Sequence, residues 1–560
     1  MFCDHPVANL LTAQLRAFPI RHIVVCPGSR NAILTHNFNE AGFILHPVTD
    51  ERSAGFVALG LIAATTEPVA VCVTSGSAVL NLHPAVAEAQ ERHMPLLIIS
   101  ADRPPCWIGQ LDGQTLPQPS AFAHLHIPHV QLPENISQPT DAWWCERLIR
   151  EVLTALSQHE GGPGHINVPL SEPLFSFTTP SLPRVRTLQH FKPTSSTLPA
   201  EVINLIRTAR MPIVCIGQLP PAPPHHQVRS GLTHHKSLLF LPDPLANLPG
   251  SQLTTLLEMS APLRRTLEPD LILHLGGNVV NKQLKNYLRS LPDTTACIRF
   301  GLDRCLTDTY RHLAAWVEMP ARQALDELCR LSLAPKPAVI HMHGSLSQAV
   351  PQSMPQLPYS DLAAMRRIMQ QLPPDAIIEV ANSRPIRAAA ACITDNAPRL
   401  YCNRGVNGIE GSLSTAVGHA LGLPEQRVYC LIGDLSFFYD VNALWNVNLP
   451  RNLCIVLFNN GHGQIFDTLP GLSASPALPR YVSGSHHTSA RGIAQSFGIR
   501  YMSADNTETL DRVLPALRAP QSQATLIELF TPDDANRQAW QQLQAHYDTL
   551  STDALKDNNL

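Results

Sequence analysis

Short apolar runs alternate with turn-rich polar segments along most of this chain. His22 to Cys26, Val69 to Val73, Leu96 to Ser100, Ile213 to Gly217, Leu238 to Leu241, Leu271 to Gly276, Ala376 to Val380, Leu400 to Cys402, Val428 to Ile432 and Leu453 to Phe458 are nearly unbroken runs of Val, Ile, Leu, Ala and Cys. Runs of this length without polar alternation predict strands buried on both faces. Between them, Ala8 to Phe18, Ser53 to Ala64, Val79 towards Gln90 and Leu362 to Gln371 carry helical spacing. A helix is also predicted from Asn31, and Phe437 to Asn448 suits a crossover helix between two parallel strands. The cadence of strand, Gly/Ser turn and helix predicts an α/β protein built from doubly wound parallel sheets.

Pro-rich stretches break this cadence twice, at Thr178 to Pro199 and at Ala334 to Pro358. They predict three units, 1–178, 179–345 and 346–560, and 560 residues is too long for one hydrophobic core. Proline is abundant, with 50 residues against a usual share of ~5%, but it punctuates loops rather than forming a tract.

Charge narrows the function classes. A net charge of −3 and 15% charged residues argue against non-specific nucleic-acid or anionic-membrane binding, and suggest extensive buried surface and self-association. The 13 cysteines contain no Cys-x-x-Cys pair, and Cys72, Cys215, Cys430 and Cys454 lie inside strand candidates, as expected of reduced core thiols in a cytoplasmic protein. No His/Cys spacing resembles a zinc site. The N-terminus lacks the layout of a signal peptide, and no apolar run is long enough for a bilayer span.

Candidate chemistry gathers at strand ends. Gly433-Asp434-Leu435-Ser436 follows one strand and Asn459-Asn460-Gly461-His462-Gly463 the next, so Asp434 and Asn460 fall just past the carboxyl ends of neighbouring strands. Asp434, Asn460 and a main-chain carbonyl near His462 offer three hard oxygen ligands, a half-built octahedron suited to Mg²⁺, with Mn²⁺ as the other occupant, completed by phosphate and water. A polar strand-end turn in any α/β protein would look much the same. Pro27-Gly28-Ser29-Arg30 before a helix is an anion-binding geometry, though Gly-Ser-Arg alone is a common turn. Glu51 opens another helix, where an acidic residue is ordinarily a dipole partner.

Taken together, the motifs resemble the thiamine-diphosphate enzyme fingerprint: a Gly-Asp, then an Asn-Asn whose second member lies 26 residues beyond the aspartate. Leu435 stands where the motif usually has Gly, and His462 where relatives often have Gly. Gly433 to Phe437 and Gly463-Gln464-Ile465-Phe466 are similar to the 2-succinyl-5-enolpyruvyl-6-hydroxy-3-cyclohexene-1-carboxylate synthase branch of that family, the transferases of menaquinone biosynthesis. The resemblance covers both outer thirds densely and the middle third thinly. It implies pyrimidine- and diphosphate-binding domains flanking a central Rossmann-like domain, although no Gly-x-Gly-x-x-Gly marks an adenine dinucleotide there.

The resemblance also assigns roles. Glu51 would hydrogen-bond N1′ of the aminopyrimidine and set its protonation. Thr74, Gln114, Ser383, Gly433, Asp434, Leu435, Ser436, Asn460, His462, Gly463 and Ile465 would face the cofactor, with Ile409 as the apolar wedge that bends it. Ser29, Arg30, Arg103, Gln114, Lys282, Asn382, Ser383, Arg387, Arg404, Ile465 and Phe466 would serve the substrates. Those substrates would be 2-oxoglutarate, decarboxylated, and isochorismate, the acceptor. Both are dicarboxylates, for which arginines are the fitting partners. A homodimer or homotetramer is implied, with one cofactor shared between two chains. Another 2-oxoacid lyase, an acetohydroxyacid-type carboligase, and a non-catalytic metabolite-binding relative stay open on sequence alone.

Overall fold

The computed structural model describes residues 1–157, 161–186, 188, 197–219, 232, 235–303, 305–351, 354–394, 398–469 and 471–557. Three separate parallel sheets follow one another along the chain, each covered by helices. The first contains β1 (His22–Val25), β2 (Ile44–Pro47), β3 (Val69–Val73), β4 (Leu96–Asp102), β5 (His129–Gln131) and β6 (Gly164–Pro169), in the order β2-β1-β3-β4-β6-β5. The second contains β7 (Pro212–Ile216), β8 (Leu239–Pro242), β9 (Leu271–Leu275), β10 (Ala296–Phe300) and β11 (Leu313–Val317), in the order β11-β10-β9-β7-β8.

The third sheet contains β12 (Ile377–Val380), β13 (Arg399–Tyr401), β14 (Val428–Gly433), β15 (Leu453–Asn459), β16 (Arg500–Ala504) and β17 (Thr525–Phe530), in the order β13-β12-β14-β15-β17-β16. Counted from its own first strand, this is the order of the first sheet. The chain therefore uses one topology twice. In each outer sheet the order reverses beside the first strand, between β1 and β3 and between β12 and β14. Crevices outside the carboxyl ends of strands at such switch points are where open α/β sheets take ligands.

The strand candidates are strands, and β3, β4, β6, β12 and β15 are buried along their whole length, as helix-covered parallel strands must be. Three expectations are corrected. The crossover helix expected over Phe437 to Asn448 is instead a helix at Asp434–Tyr439 followed by a 3₁₀ turn at Val441–Ala443, so it starts on the strand-end motif itself. The helix expected from Val79 is broken into Ala78–Asn81 and His83–Glu91, with Pro84 in the first turn of the second piece. The Pro-rich stretch 334–358 contains the helix Pro337–Gln348, with Pro337 at its start rather than inside it. In the other Pro-rich stretch, residues 187 and 189–196 lie outside the described residues.

Two helices join the outer units within the chain. Glu51–Thr65 crosses Ser412–Gly422 with backbones in contact: a β-carbon on Gly60 would stand 2.0 Å from Thr415 O, and one on Gly418 2.0 Å from Val57 O. Only glycine fits there. Among the described residues no helix is long and apolar enough to cross a membrane.

Candidate active site

A cleft opens at the β12/β14 switch point. Its walls come from the segments that follow β12 (Asn382, Ser383, Arg384), β14 (Gly433 to Ser436) and β15 (Asn460 to Phe466), with Ile409 opposite and Thr531 and Asn536 behind. Gly433, Asp434, Leu435, Ser436, Asn460, His462, Gly463, Ile465, Phe466, Ile409, Asn382 and Ser383 were all picked from sequence, and the fold brings them to one place.

Asp434 is the first residue of its helix and is 4% exposed. Its Oδ1 accepts the Leu435 N–H at 2.7 Å; its Oδ2 accepts those of Gly461 at 2.8 Å and Asn460 at 3.2 Å, and His486 Nε2 stands 3.4 Å away. Burial raises the Asp434 pKa, while the Leu435 N–H, His486 and the other N–H groups pull it back. The carboxylate is thus fixed in position before anything binds.

The Asn460 amide points one terminal atom at both Asp434 Oδ2, 3.1 Å away, and His462 O, 2.8 Å away. Turned nitrogen-inward, it donates to both. Turned oxygen-inward, three oxygens face one another with no proton between them, an arrangement that a bound cation would satisfy. Cis ligands of an octahedral ion with ~2.1 Å bonds lie about 3.0 Å apart, so the observed separations fit Mg²⁺ or Mn²⁺. Among the described residues no three His, Cys, Asp or Glu side chains form a metal cluster. The set here is one carboxylate, one amide and one main-chain carbonyl, leaving the other positions open for a ligand such as a diphosphate.

The rest of the cleft is held by its own hydrogen bonds. Ser436 donates its hydroxyl to Ile409 O, tying the helix start to the facing loop. Ile409 is 39% exposed, apolar and unsupported by a core on its cleft side. Ser383 has φ +74°, a conformation non-glycine residues adopt at a cost, which is stored at the cleft wall. Asn382 differs from a free substrate contact: its Nδ2 donates to Asn403 O at 2.6 Å and Gly408 O at 2.7 Å, and its Oδ1 accepts from Arg404 at 3.1 Å. It therefore shapes the 403–411 loop.

The expected arginine cluster is not assembled around this cleft. Arg387 donates to Ser383 O at 2.6 Å, and Arg404 is buried on Asn382 with its Nε unpartnered; neither lines the cleft, whereas Arg384 does, paired with Asp361. Burial lowers the Arg387 pKa, and nearby Arg404 adds to that. Lys282 is exposed at the first position of the helix Lys282–Arg289, outside the cleft.

The remaining candidates form a second group at the switch point of the first sheet. Ser29 and Arg30 follow β1, Thr74 ends β3, Arg103 follows β4, and Gln114 lies on the next loop with φ +56°. The turns touch: a β-carbon on Gly28 would overlap Thr74 at 2.3 Å, and one on Gly76 would meet Gln114 at 3.0 Å. Arg30 is 5% exposed and donates to Leu170 O at 3.1 Å and Glu172 at 3.2 Å, while Arg103 pairs with Asp112 at 3.3 Å. Glu51 is half-buried at the start of its helix, beside Asn81 at 3.5 Å, and burial raises its pKa. Among the described residues, none from this group lines the cleft at Asp434.

Sequence reasoning missed several supports. Gln118 is fully buried, accepting from Gly76 N–H at 2.6 Å and donating to Asn167 at 2.9 Å, so it fixes the Gln114 loop to the β3 turn. Gln464 bridges Asn460, Asn536 and Asp533 O, and His462 lies between Asp467 and Asp533 at 3.4 and 3.5 Å. Buried amides in a loop carry no periodicity to betray them.

Comparison with known proteins follows the two groups. Residues 5–121 match the family "Thiamine pyrophosphate enzyme, N-terminal TPP binding domain", and residues 386–529 match "Thiamine pyrophosphate enzyme, C-terminal TPP binding domain". A curated protein of Phocaeicola vulgatus is 39% identical over 546 residues, covering 95% of this chain and 96% of its own. One of Bacteroides thetaiotaomicron is 39% identical over 542 residues, with 95% and 97% covered, and one of Desulfotalea psychrophila is 35% identical over 510 residues, with 87% and 91% covered. All three bear the name 2-succinyl-5-enolpyruvyl-6-hydroxy-3-cyclohexene-1-carboxylate synthase.

Proposed function

Because the chain belongs to the 2-succinyl-5-enolpyruvyl-6-hydroxy-3-cyclohexene-1-carboxylate synthases, a family of thiamine-diphosphate enzymes, we propose that it decarboxylates 2-oxoglutarate and transfers the remaining four-carbon unit to isochorismate. The convergence of Asp434, Asn460 and the His462 carbonyl on one point, facing the apolar side of Ile409, carries the reading. Those three oxygens would hold Mg²⁺ or Mn²⁺ and through it the diphosphate. Ser436 and the Gly433-Leu435 backbone hold the near wall in register, and Gly463 lets the β15 loop approach closely. Ile465 and Phe466 exclude water from the reacting end.

Thiamine diphosphate, once bound, supplies the carbon nucleophile and the electron sink that decarboxylation requires. Glu51 holds and returns the proton at N1′ of its aminopyrimidine, a role favoured by the burial that raises its pKa. Ser29, Arg30, Thr74, Arg103 and Gln114 form the pyrimidine-side wall. Arg387 and Arg404 set positive charge behind Ser383 and Asn382 for the substrate carboxylates, with Lys282 as a further cation. The two groups belong to one site only if a second copy delivers the 1–178 unit to the cleft of the 346–560 unit, with 179–345 between them. The active species is therefore a homodimer, or a homotetramer made of two such pairs. Its thirteen free thiols suit a reducing cytoplasm.

The test is mass spectrometry of products from purified protein, thiamine diphosphate and Mg²⁺, with 2-oxoglutarate or pyruvate and with or without isochorismate. The expected result is CO₂ release and coupled product with 2-oxoglutarate and isochorismate. Coupling of pyruvate instead, or none, overturns the reading.

A further inference from the structure

Glu528 is a charged residue in the middle of the apolar strand β17 and is 0% exposed. A carboxylate removed from water must be hydrogen-bonded throughout or become neutral. Four donors surround this one. Its Oε1 accepts from Asn459 Nδ2 at 2.8 Å and from the Ala490 N–H at 3.0 Å; its Oε2 accepts from the Ser489 hydroxyl and the Tyr501 hydroxyl, each at 2.7 Å.

Two of these partners lead to Asp434. Asn459 is the last residue of β15 and directly precedes Asn460. Its Nδ2 also donates to Thr488 O at 2.9 Å, and its Oδ1 accepts the Gly461 N–H at 3.1 Å, the same N–H that reaches Asp434. Ser489 and Ala490 close the turn that begins at His486, whose N–H donates to Gly461 O at 2.7 Å and whose ring stands beside Asp434. The 459–463 turn and the 486–490 turn flank the aspartate from two sides, and both hang from Glu528. Tyr501, on β16, donates to the same Oε2 and also meets the Ser489 side chain at the end of the 486–490 turn, but removing its hydroxyl leaves Ser489, Ala490 and Asn459 still bonded to Glu528.

We propose that Glu528 is a positioning residue for the cation cage: it fixes those two turns at the spacing that aims Asp434, Asn460 and the His462 carbonyl at a common point. The inference rests on reading that set as a Mg²⁺ site. Supports behind a metal ligand typically change affinity ~10–100-fold when removed, whereas a purely structural carboxylate would affect melting without regard to which donor is cut.

The experiment titrates the full-length protein with Mg²⁺ in the presence of thiamine diphosphate by calorimetry, with thermal melting in parallel. Glu528→Ala and Asn459→Ala should each weaken Mg²⁺ about tenfold or more. Glu528→Gln, which keeps an acceptor for Asn459 and can donate to the two hydroxyls, should stay within about threefold. Tyr501→Phe should leave Mg²⁺ affinity within about twofold while lowering the melting temperature, as loss of one hydrogen bond does. If Glu528→Ala does not fold, Asn459→Ala against Tyr501→Phe decides the matter alone. Equal Mg²⁺ affinity for those two variants overturns the proposal. Failure of the unaltered protein to bind Mg²⁺ instead overturns the cage itself.

Discussion

Two inactive variants should restore activity to each other when mixed. Glu51 sits at the switch point of the first sheet and Asp434 at that of the third, and no residue of the first group lines the Asp434 cleft within one chain. Glu51→Gln keeps the size of the side chain and its contact with Asn81, and leaves the helix cap intact because Asp50 accepts the Arg52 and Ser53 N–H groups at 2.9 and 3.3 Å. It should therefore bind cofactor within about tenfold of normal, or 1.4 kcal/mol. What it loses is proton transfer, worth ~10²–10⁴ in turnover. Asp434→Ala strips the carboxylate from the cage and leaves the N–H groups of Leu435 and Asn460 without their acceptor, each costing ~1–3 kcal/mol if water does not replace it, while the Gly461 N–H keeps Asn459 Oδ1. It should not bind Mg²⁺ and cofactor. In a dimer carrying one variant of each kind, one site collects both lesions and the other collects neither. Random reassortment makes half the dimers mixed, so about a quarter of normal sites return. The assay is CO₂ release after denaturing the two variants together and refolding them, against each refolded alone. No recovery on mixing, with refolded native protein active, refutes the shared site; so does a fully active monomer in the ultracentrifuge.

Other consequences are more local. Gly418→Ala drives a β-carbon to 2.0 Å from Val57 O, a clash with backbone that no rotamer relieves, and should lower stability by about 3 kcal/mol or more, read by chemical denaturation. Ile409→Ala trims a side chain that is 39% exposed, so it should lower unfolding free energy by about 1–2 kcal/mol, less than a fully buried isoleucine would, yet raise half-saturating thiamine diphosphate in a binding titration. Asp440 is fully buried, and desolvation pushes its pKa up to about 6 despite two hydrogen bonds from Ser414. The folded form then holds a proton that the unfolded chain releases near pH 3.9, so this contribution is full below pH ~4 and lost as pH rises through about 6. Asp440→Asn should flatten that portion of the stability–pH curve relative to the native protein.

The strands were legible because burial on both faces leaves no polar position to blur them: Val69–Val73 is the same five residues by pattern and by structure. The Asp434 and Asn460 turns were legible as a pair, by the 26-residue step from the aspartate to the second asparagine, since either turn alone would look like any polar strand end. Less could be read where position depends on distant chain. Nothing local in Asn382 says that its amide will be taken up by Asn403 O and Gly408 O, and nothing in the spacing of the arginines shows that Arg30 will be occupied by Leu170 and Glu172. The helix predicted over Phe437 to Asn448 starts three residues early, on the strand-end motif itself, and gives way at Asp440 to a 3₁₀ turn, neither of which its apolar spacing revealed. Glu528 was overlooked because one charge in TLIELF looks like an exception to a strand rather than the reason for two loops.

The bare-backbone crossing at Gly60 and Gly418 has a bearing beyond packing. At that crossing point no side chain separates the two backbones, so there is no shim there whose length mutation could trim, and the helix that begins at Glu51 is held directly against the helix that follows the 403–411 loop. In a paired assembly that rigid bar would run from the loop of one reaction chamber to the carboxylate serving the other. Any misfit introduced at one chamber would then be carried to its twin, and the two would be tuned by evolution as a matched set.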